Sequence, residues 1–190
     1  RHPYVYDIMH RILNNTNLKL YERLFWNKGK GLSHPKRFGD KIEYIFWFAK
    51  TENFTFNIDE MRVPYSKSSL KRFKKPIKKR FNRTEGDDKL EYKDWGPNPK
   101  GALPSTLVNI GSESKRISDN HIAVYPEALT DYFIKGSTNE GDLVLDPFMG
   151  SGTTGVSSKK YKRNWIGFDN IEEYVNFANQ RIEMTKCHIK

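Results

Sequence analysis

The stretch NEGDLVLDPFMGSGTTGV, residues 139–156, decides the fold of this chain, because an apolar run ends on Asp146 and a glycine cluster follows it at once. The run LVLD is typical of a short strand, and the cluster consists of Gly150, Gly152 and Gly155. Glycine has no Cβ and tolerates positive φ, so a backbone with these glycines can approach a ligand closely. The stretch therefore predicts a binding site at the end of a strand.

The rest of the C-terminal part alternates between helix and strand patterns. Residues 125–137 predict a helix with Pro126 in its first turn, and NWIGFD (164–169) predicts a second strand. Residues 171–184 predict a closing helix, whose apolar face carries Ile171, Tyr174, Val175, Ala178 and Ile182. The order helix, strand, glycine loop, helix, strand, helix predicts a parallel α/β sheet.

The N-terminal part carries a helix pattern and two aromatic-rich runs. Residues 3–13 predict a helix from the spacing of Val5, Ile8, Met9 and Ile12. The runs LYERLFW (20–26) and KIEYIFWFA (41–49) are interpreted as two central strands. In the second run apolar side chains line both faces, so we expect that strand to be buried on both sides. We interpret the Trp and Phe side chains of the pair as core rather than as a stacking platform.

The charge of the chain favours an anionic partner. It has 33 Lys and Arg against 23 Asp and Glu, a net charge of +10 and a pI near 9.5. The stretch KSSLKRFKKPIKKRFNR contains no acidic residue and nine basic ones, namely Lys67, Lys71, Arg72, Lys74, Lys75, Lys78, Lys79, Arg80 and Arg83. Lys and Arg neutralise phosphates, and the interleaved Phe73 and Phe81 can stack on bases. These nine residues are candidate nucleic-acid contacts, and the alternative is a solvated basic loop.

The sequence changes character between residues 53 and 120. This segment is polar, basic and rich in turn signals such as GPNPKGALP (96–104), with few periodic runs. Segments of this kind inside a compact domain are usually functional or disordered. We therefore divide the chain into residues 1–52, with the helix and the strand pair, residues 53–120, and residues 121–190, with the glycine loop.

The predicted parallel sheet assigns a ligand class to the glycine loop. Ligands of such sheets bind beyond the carboxyl ends of the strands, where helix N-termini present free N–H groups. Asp169, at the end of the next strand, can accept hydrogen bonds from ribose hydroxyls, so an adenosine-bearing cofactor is indicated. GSGTTG also matches the dinucleotide pattern G-x-G-x-x-G, but that turn does not call for the intervening DPF.

Several stretches, in order along the chain, resemble one known family. LVLDPFMGSGTT (143–154) resembles the cofactor motif of the S-adenosylmethionine-dependent DNA amino-methyltransferases, and residues 164–182 resemble their second motif. Residues 121–142 resemble the motif that precedes the glycine loop in the β-type motif order, and residues 20–50 resemble the central strand pair. The polar and basic segment of residues 53–120 lies where this family carries its target recognition region.

The resemblance implies a Rossmann-like α/β methyltransferase sheet, incomplete in this chain, with an inserted target recognition segment at 53–120. It implies S-adenosylmethionine as cofactor and double-stranded DNA as partner, and we expect no metal. The expected cofactor residues are His121, Ala123, Tyr125, Asp146, Pro147, Phe148, Gly150, Ser151, Gly152, Thr153, Thr154, Asp169 and Asn170. Asp169 would receive the ribose hydroxyls, and residues 121–125 would form a wall near the methionine end. As alternatives, Asp146 only caps the following turn and His121 is an ordinary surface histidine.

One motif of the family is missing from the chain. The catalytic motif, which is Asp, Asn or Ser followed by Pro-Pro and an aromatic residue, precedes the others in the β order, and this chain has no Pro-Pro. We therefore assign no catalytic residue and expect the N-terminal part of the enzyme in the same or in another polypeptide. Alternatives are a non-catalytic DNA-binding or specificity subunit of a split methyltransferase, and an RNA methyltransferase.

The stretch HIAVYPEAL (121–129) bears on the target base. With Ala123 and the pair Tyr125-Pro126, it is closer to the form found in cytosine-N4 methyltransferases than to the His-Pro-Thr-Gln-Lys-Pro of adenine-N6 enzymes. The resemblance thus favours N4 of cytosine over N6 of adenine, and it implies the modification half of a restriction system.

Composition also predicts the compartment. The single cysteine, Cys187, excludes an internal disulfide and fits a reducing environment. No run of about 18 apolar residues occurs, so no membrane span is predicted. We expect a cytoplasmic protein.

Overall fold

The computed structural model of the chain describes residues 4–29, 31, 35–36, 38–74, 97–112 and 125–187. The helices in these ranges are α1 Tyr4–Asn15, a 3₁₀ helix Ile58–Met61, α2 Lys67–Phe73, α3 Glu127–Ser137, α4 Thr153–Lys160 and α5 Glu172–Glu183. The strands are β1 Lys19–Asn27, β2 Ile42–Ala49, β3 Leu107–Asn109, β4 Leu143–Asp146 and β5 Asn164–Gly167. None of the helices in these ranges is long and apolar enough to cross a bilayer.

The N-terminal sheet has the strand order β2-β1-β3. β1 pairs antiparallel with β2, from Lys19 opposite Ala49 to Asn27 opposite Ile42, and parallel with β3 on its other edge. Its core is formed by Trp26, Val108 and Leu129, so the sheet packs on α3. The indole N–H of Trp26, which would be costly to bury without a partner, donates to the carbonyl of Ile110 at 2.7 Å.

The prediction of two central strands is confirmed for β1 and wrong for β2. Within the described residues β2 pairs with β1 alone, and Ile42 and Tyr44 are exposed rather than buried. The alternation of its faces is as predicted, because Trp47 meets Phe133 of α3 while Tyr44 meets Tyr6 of α1. A helix on each face produces the same apolar pattern in an edge strand as in a central one.

A strand that the sequence did not indicate lies inside the polar segment. β3 spans three residues, too few for a period-two pattern, yet it pairs with β1 from Leu107 to Asn109. Val108 is buried there, next to Trp26 and Leu129. This long-range packing, rather than local propensity, makes residues 107–109 a strand.

The C-terminal part has the predicted order of elements. β4 and β5 are parallel, with Leu143 opposite Asn164 and Asp146 opposite Gly167. Helices α4 and α5 cover one face of this pair, where Val156, Ala178 and Ile182 are buried. The other face is apolar and uncovered in the described part of the chain, with 45–61% of Leu143, Leu145, Ile166 and Phe168 exposed.

Residues 57–61 attach the middle of the chain to α3. The backbone N–H of Asn57 donates to the carbonyl of Gly136 at 2.8 Å. The side-chain amide of Asn57 donates to the carbonyls of Lys135 and Thr138. Met61 is buried against Gly136, where a Cβ would overlap its side chain. The carbonyls at the end of α3 are thus satisfied by a neighbouring segment, as a helix C-terminus requires.

Candidate functional site

The glycine loop connects β4 to α4 by a tight turn. Asp146 ends the strand, and its carboxylate accepts the backbone N–H of Phe148 at 3.0 Å, so it does cap the turn. Gly150 and Gly152 have φ of +47° and +76°, in the left-handed region that side chains disfavour. The first N–H groups of α4 have no carbonyl of their own helix to bind, and a helix start of this kind suits an anionic or polar ligand.

The three glycines of the cluster serve two different purposes. Gly152 combines its positive φ with close packing, since a Cβ there would lie 2.8 Å from the Cβ of Ala178. Gly155 lies inside α4, and a Cβ there would overlap the side chain of Ile182. Gly155 therefore allows α4 to pack on α5, and the sequence-based interpretation that all three glycines serve backbone approach to a ligand is wrong for it.

Asp169 lies against the glycine loop. One carboxylate oxygen accepts the N–H of Gly150 and the other accepts the N–H of Ile171, each at 3.0 Å. The backbone of Met149 also donates to the carbonyl of Phe168 at 2.9 Å, so the loop is bonded to the segment after β5. An ionised carboxylate has about four acceptor positions, and two of them remain for a ligand.

Tyr125 belongs to the same end of the sheet. Burial raises the pKa of its phenol, and the negative charges of Asp146 and Glu43 raise it further. Two residues further on, Glu127 accepts a hydrogen bond from Arg181, which also binds the carbonyl of Ser151, so the start of α3 lies near the glycine loop. The neutral phenol can donate a hydrogen bond at physiological pH. His121 and Ala123, which the sequence placed beside it, lie outside the described residues.

The structure brings the remaining predicted cofactor residues together, but their side chains differ in accessibility. Ser151 and Thr153 are buried, so their hydroxyls are not exposed beside the loop. Phe148 is 85% exposed beside the loop, and Pro147, Thr154 and Asn170 are at least partly exposed. The sequence analysis missed Arg181, which donates to the carbonyl of Ser151 and to the hydroxyl of Thr153, each at 3.1 Å. A single arginine on the polar face of a helix carries no local signal of such a contact.

These groups suit an adenosyl cofactor. The carboxylate of Asp169 matches a pair of ribose hydroxyls, which are hydrogen-bond donors. Gly150 and Gly152 place no side chain over the loop, and the N-terminus of α4 supplies donors for carboxylate or ribose oxygens.

The basic stretch of residues 67–83 is described by the structure as far as Lys74. Lys67, Lys71 and Arg72 lie on α2 and Lys74 follows it, all with exposed side chains. Ser66 caps α2 by accepting the N–H of Ser69 at 3.1 Å. The other candidate contacts, Lys75, Lys78, Lys79, Arg80 and Arg83, lie outside the described residues.

A short neck connects α2 to the rest of the fold. Val63 and Ala102 form an antiparallel bridge, with N···O distances of 3.0 and 2.8 Å. Gly101 takes φ of +110°, and Arg62 donates to its carbonyl at 2.9 Å. The bridge therefore brings together the two points at which the chain enters and leaves the stretch between Val63 and Ala102, of which the structure describes residues 64–74 and 97–101.

The family of the chain follows from comparison with known proteins. A family model described as DNA methylase matches residues 2–180. This chain belongs to the DNA methylase family. The matched range thus includes the N-terminal sheet, the basic stretch 67–83, the glycine loop and α5 as far as Gln180.

Two relatives show how much of a whole protein this methylase chain represents. The Type II methyltransferase M1.MboII of Moraxella bovis is 40% identical over 162 residues, which are 81% of this chain and 59% of the relative. The Type II methyltransferase M.BglII of Bacillus subtilis is 32% identical over 160 residues, which are 83% of this chain and 41% of the relative. The chain spans about half the length of the curated relatives it matches.

Solved structures share the fold of this methylase chain. The PvuII DNA methyltransferase, described as cytosine-N4-specific, superposes with a TM-score of 0.68 at 22% identity, over 100% of this chain and 60% of the other. The M1.HpyAVI–SAM complex superposes with a TM-score of 0.62 at 24% identity, over 97% and 72%. The Rossmann-like methyltransferase class expected from the sequence is confirmed.

Proposed function

We propose that this chain is the cofactor-binding and DNA-holding part of a Type II DNA methyltransferase that uses S-adenosylmethionine. The observation that carries the proposal is the contact between the DPF glycine loop and Asp169, in which Gly150 donates to the carboxylate at 3.0 Å. This contact places backbone donors and a carboxylate acceptor at the carboxyl ends of two parallel strands, where α/β sheets bind their ligands.

Each part of the site has a role in this proposal. The remaining acceptor positions of Asp169 hold the two ribose hydroxyls, and the backbone of residues 148–154 contacts the cofactor. Tyr125, with His121 and Ala123, forms the wall near the methionine end. Asn170 and Phe148 border the pocket, with their side chains exposed beside the loop.

The reaction requires positioning more than a protein nucleophile. Bound S-adenosylmethionine supplies an electrophilic methyl group, so that a new N–C bond to the amino group of the base forms as the S–C bond breaks, the electron pair leaves with sulfur, and the nitrogen then loses a proton. This chain holds its groups in a fixed geometry, which lowers the entropic cost of such a displacement. The target base leaves the helical stack to reach the site.

The target recognition segment predicted at 53–120 is narrower in this proposal. We assign residues 64–101 to it, which is supported by the bridge between Val63 and Ala102 and by the packing of the 3₁₀ helix before it on α3 and of β3 after it in the sheet. Within it, the basic side chains on and after α2 bind the phosphate backbone of double-stranded DNA, which positions the protein without reading sequence. The neck keeps this segment attached to the cofactor half.

The rest of the enzyme covers the apolar face of β4 and β5. Parallel strands are normally buried on both faces, whereas Leu143, Leu145, Ile166 and Phe168 are 45–61% exposed here. An exposed apolar patch of this kind marks a contact surface. The occupant we propose is the N-terminal part that carries the Pro-Pro-aromatic motif, in the same or in a second polypeptide, since 41% and 59% of the length of these two relatives lies outside their match to this chain.

The target atom in this proposal is an exocyclic amino nitrogen. Between the two kinds, the form of HIAVYPEAL supports N4 of cytosine, with N6 of adenine as the alternative. The relatives M1.MboII and M.BglII are named Type II methyltransferases, which supports a role in a restriction-modification system.

A non-catalytic DNA-binding or specificity subunit is the second candidate, because the chain has no Pro-Pro motif. One experiment separates the two. The chain is combined with the N-terminal part of the enzyme, supplied with S-adenosylmethionine and duplex DNA, and the nucleosides are analysed by mass spectrometry. N4-methylcytosine is expected, and N6-methyladenine would overturn the choice of base. Binding of DNA without binding of cofactor, measured by calorimetry, would instead support the specificity subunit.

A further inference from the structure

Arg181 of α5 joins three segments of the molecule. Its Nη1 donates to the carbonyl of Ser151 and the hydroxyl of Thr153, each at 3.1 Å, and its Nη2 donates to the carboxylate of Glu127 at 2.7 Å. The arginine side chain is only 16% exposed, so its guanidinium is largely shielded from water, whereas Glu127 is 36% exposed. A planar guanidinium with several donors can make such bonds in two directions at once.

The bond to Ser151 fixes the peptide between Ser151 and Gly152. Arg181 donates to the carbonyl of Ser151 on one side of this peptide. On the other side the N–H of Gly152 donates to the carbonyl of Met149 at 2.8 Å. The peptide plane cannot rotate without breaking one of these bonds. Thr153 is the first residue of α4, so the same guanidinium also binds the start of that helix.

The third bond reaches the other side of the cofactor site. Glu127 begins α3, two residues after Tyr125, in the segment expected to form the wall near the methionine end. Its second oxygen lies 3.8 Å from the ammonium of Lys160. Through its ion pair with Glu127 and its hydrogen bonds to Ser151 and Thr153, Arg181 therefore connects the start of α3 with the glycine loop.

We propose that Arg181 is a positioning residue for cofactor binding, which acts by holding the Ser151–Gly152 peptide and by tying the glycine loop to Glu127. The inference rests on the proposed cofactor site. Arg181 itself lies behind the loop, since it binds the buried side of Ser151 and Thr153. Its loss would leave the loop able to rotate away from the conformation that binds cofactor.

The test uses the full chain and two measurements on each variant. Calorimetry gives the affinity for S-adenosylmethionine, and hydrogen exchange of residues 148–154 in the ligand-free protein reports on the loop itself. The variants are Arg181→Met, Arg181→Lys and Glu127→Gln. Arg163→Met is the matched control, because Arg163 also donates to backbone carbonyls, at Thr138 and Tyr161, but before β5 at the opposite end of the strands.

Arg181→Met is expected to weaken cofactor binding about tenfold or more and to accelerate exchange in the loop, since it leaves buried acceptors without a donor. Arg181→Lys keeps one of the contacts and should fall between wild type and Met, and Glu127→Gln should show a smaller loss. Arg163→Met should lower the melting temperature without either effect.

The outcomes separate this inference from the proposed function. If the wild type binds cofactor and Arg181→Met, well below its melting temperature, shows unchanged affinity and unchanged loop exchange, the inference is wrong and the proposed function stands. If the wild type binds no cofactor, the proposed function fails and the inference fails with it. Should Arg181→Met not fold, Arg181→Lys and Glu127→Gln decide, and wild-type affinity in both would overturn the positioning role.

Discussion

The carboxylate of Asp169 accepts a hydrogen bond from the backbone N–H of Gly150, with 3.0 Å between the two atoms. Gly150 follows β4 and Asp169 follows β5, so this bond joins the carboxyl ends of two parallel strands. The other carboxylate oxygen of Asp169 accepts the N–H of Ile171 at the start of α5. The residue expected to bind the cofactor ribose thus also shapes the loop expected to bind the rest of the cofactor.

Replacement of Asp169 tests that double role. In Asp169→Asn the amide presents an NH₂ group to one of the two N–H donors. One hydrogen bond to the backbone is therefore lost, and fewer acceptor positions remain for the ribose hydroxyls. We expect S-adenosylmethionine affinity to fall about tenfold or more, by calorimetry. Asp142→Asn is the control, because Asp142 also accepts a backbone N–H, from Asn139, but before β4. Undiminished cofactor binding in Asp169→Ala combined with Gly150→Val would contradict the site.

Gly152 should not tolerate a side chain. Gly152→Ala introduces a left-handed alanine, at a cost of about 1–2 kcal/mol, and a Cβ 2.8 Å from that of Ala178. The melting temperature should drop by more than in Gly29→Ala, because Gly29 has a similar φ of +72° with open space around it. Ala178→Gly in the same chain should restore part of the loss. Equal losses in Gly152→Ala and Gly29→Ala would exclude the packing contribution.

The basic surface on α2 is expected to bind phosphates. Replacing Lys67, Lys71, Arg72 and Lys74 with Ala should weaken binding similarly for all duplex sequences and reduce the salt slope by about three to four. The control removes the same charge elsewhere, at exposed Lys19, Lys50, Lys162 and Lys186. Titrations at several salt concentrations measure both sets. An equal reduction of slope in the control would assign the effect to net charge rather than to this surface.

The neck formed by Val63 and Ala102 can be disrupted by a substitution that leaves the glycine loop unchanged. In Gly101→Ala the residue keeps φ of +110° only with strain, and its Cβ would overlap the carbonyl oxygen of Val63. The recognition segment should lose its orientation, so DNA affinity should fall while cofactor affinity stays near that of the wild type. Gly111→Ala is the control, because a Cβ there meets no atom within 4 Å. A parallel loss of both affinities would show that the neck supports the whole fold.

Tyr161 links stability to alkaline pH. Burial, followed by the charge and hydrogen bond of Asp131, raises the pKa of its phenol to about 12. Since the folded chain keeps a proton that the unfolded chain loses near pH 10, this contribution is complete below pH 10 and is lost as the pH rises towards about 12. Denaturation midpoints across this range should fall less steeply in Tyr161→Phe. Tyr4→Phe, at an exposed position, should retain the wild-type slope.

Local patterns were sufficient for most elements and for the outline of the site. The 3.6-residue spacing predicted α1 and α5, and the apolar runs predicted β1, β2, β4 and β5. The DPF glycine loop predicted the turn with positive φ at Gly150 and Gly152, because backbone conformation at a glycine is a local property. The placement of Asp169 beside that loop followed from the rule that parallel strands end on the same side.

Contacts between distant parts of the chain decided the rest. β3 is a strand because Val108 packs on Trp26 and Leu129, and in the described part of the chain β2 pairs with β1 alone. Gly155 is needed for the approach of Ile182, and Arg181 binds the loop from α5, which follows the next strand. The sequence by itself determined which segments are helix, strand or turn, since those follow from neighbours along the chain. Only the tertiary structure determined which side chains meet, since packing and shielded hydrogen bonds depend on distances that local sequence does not encode.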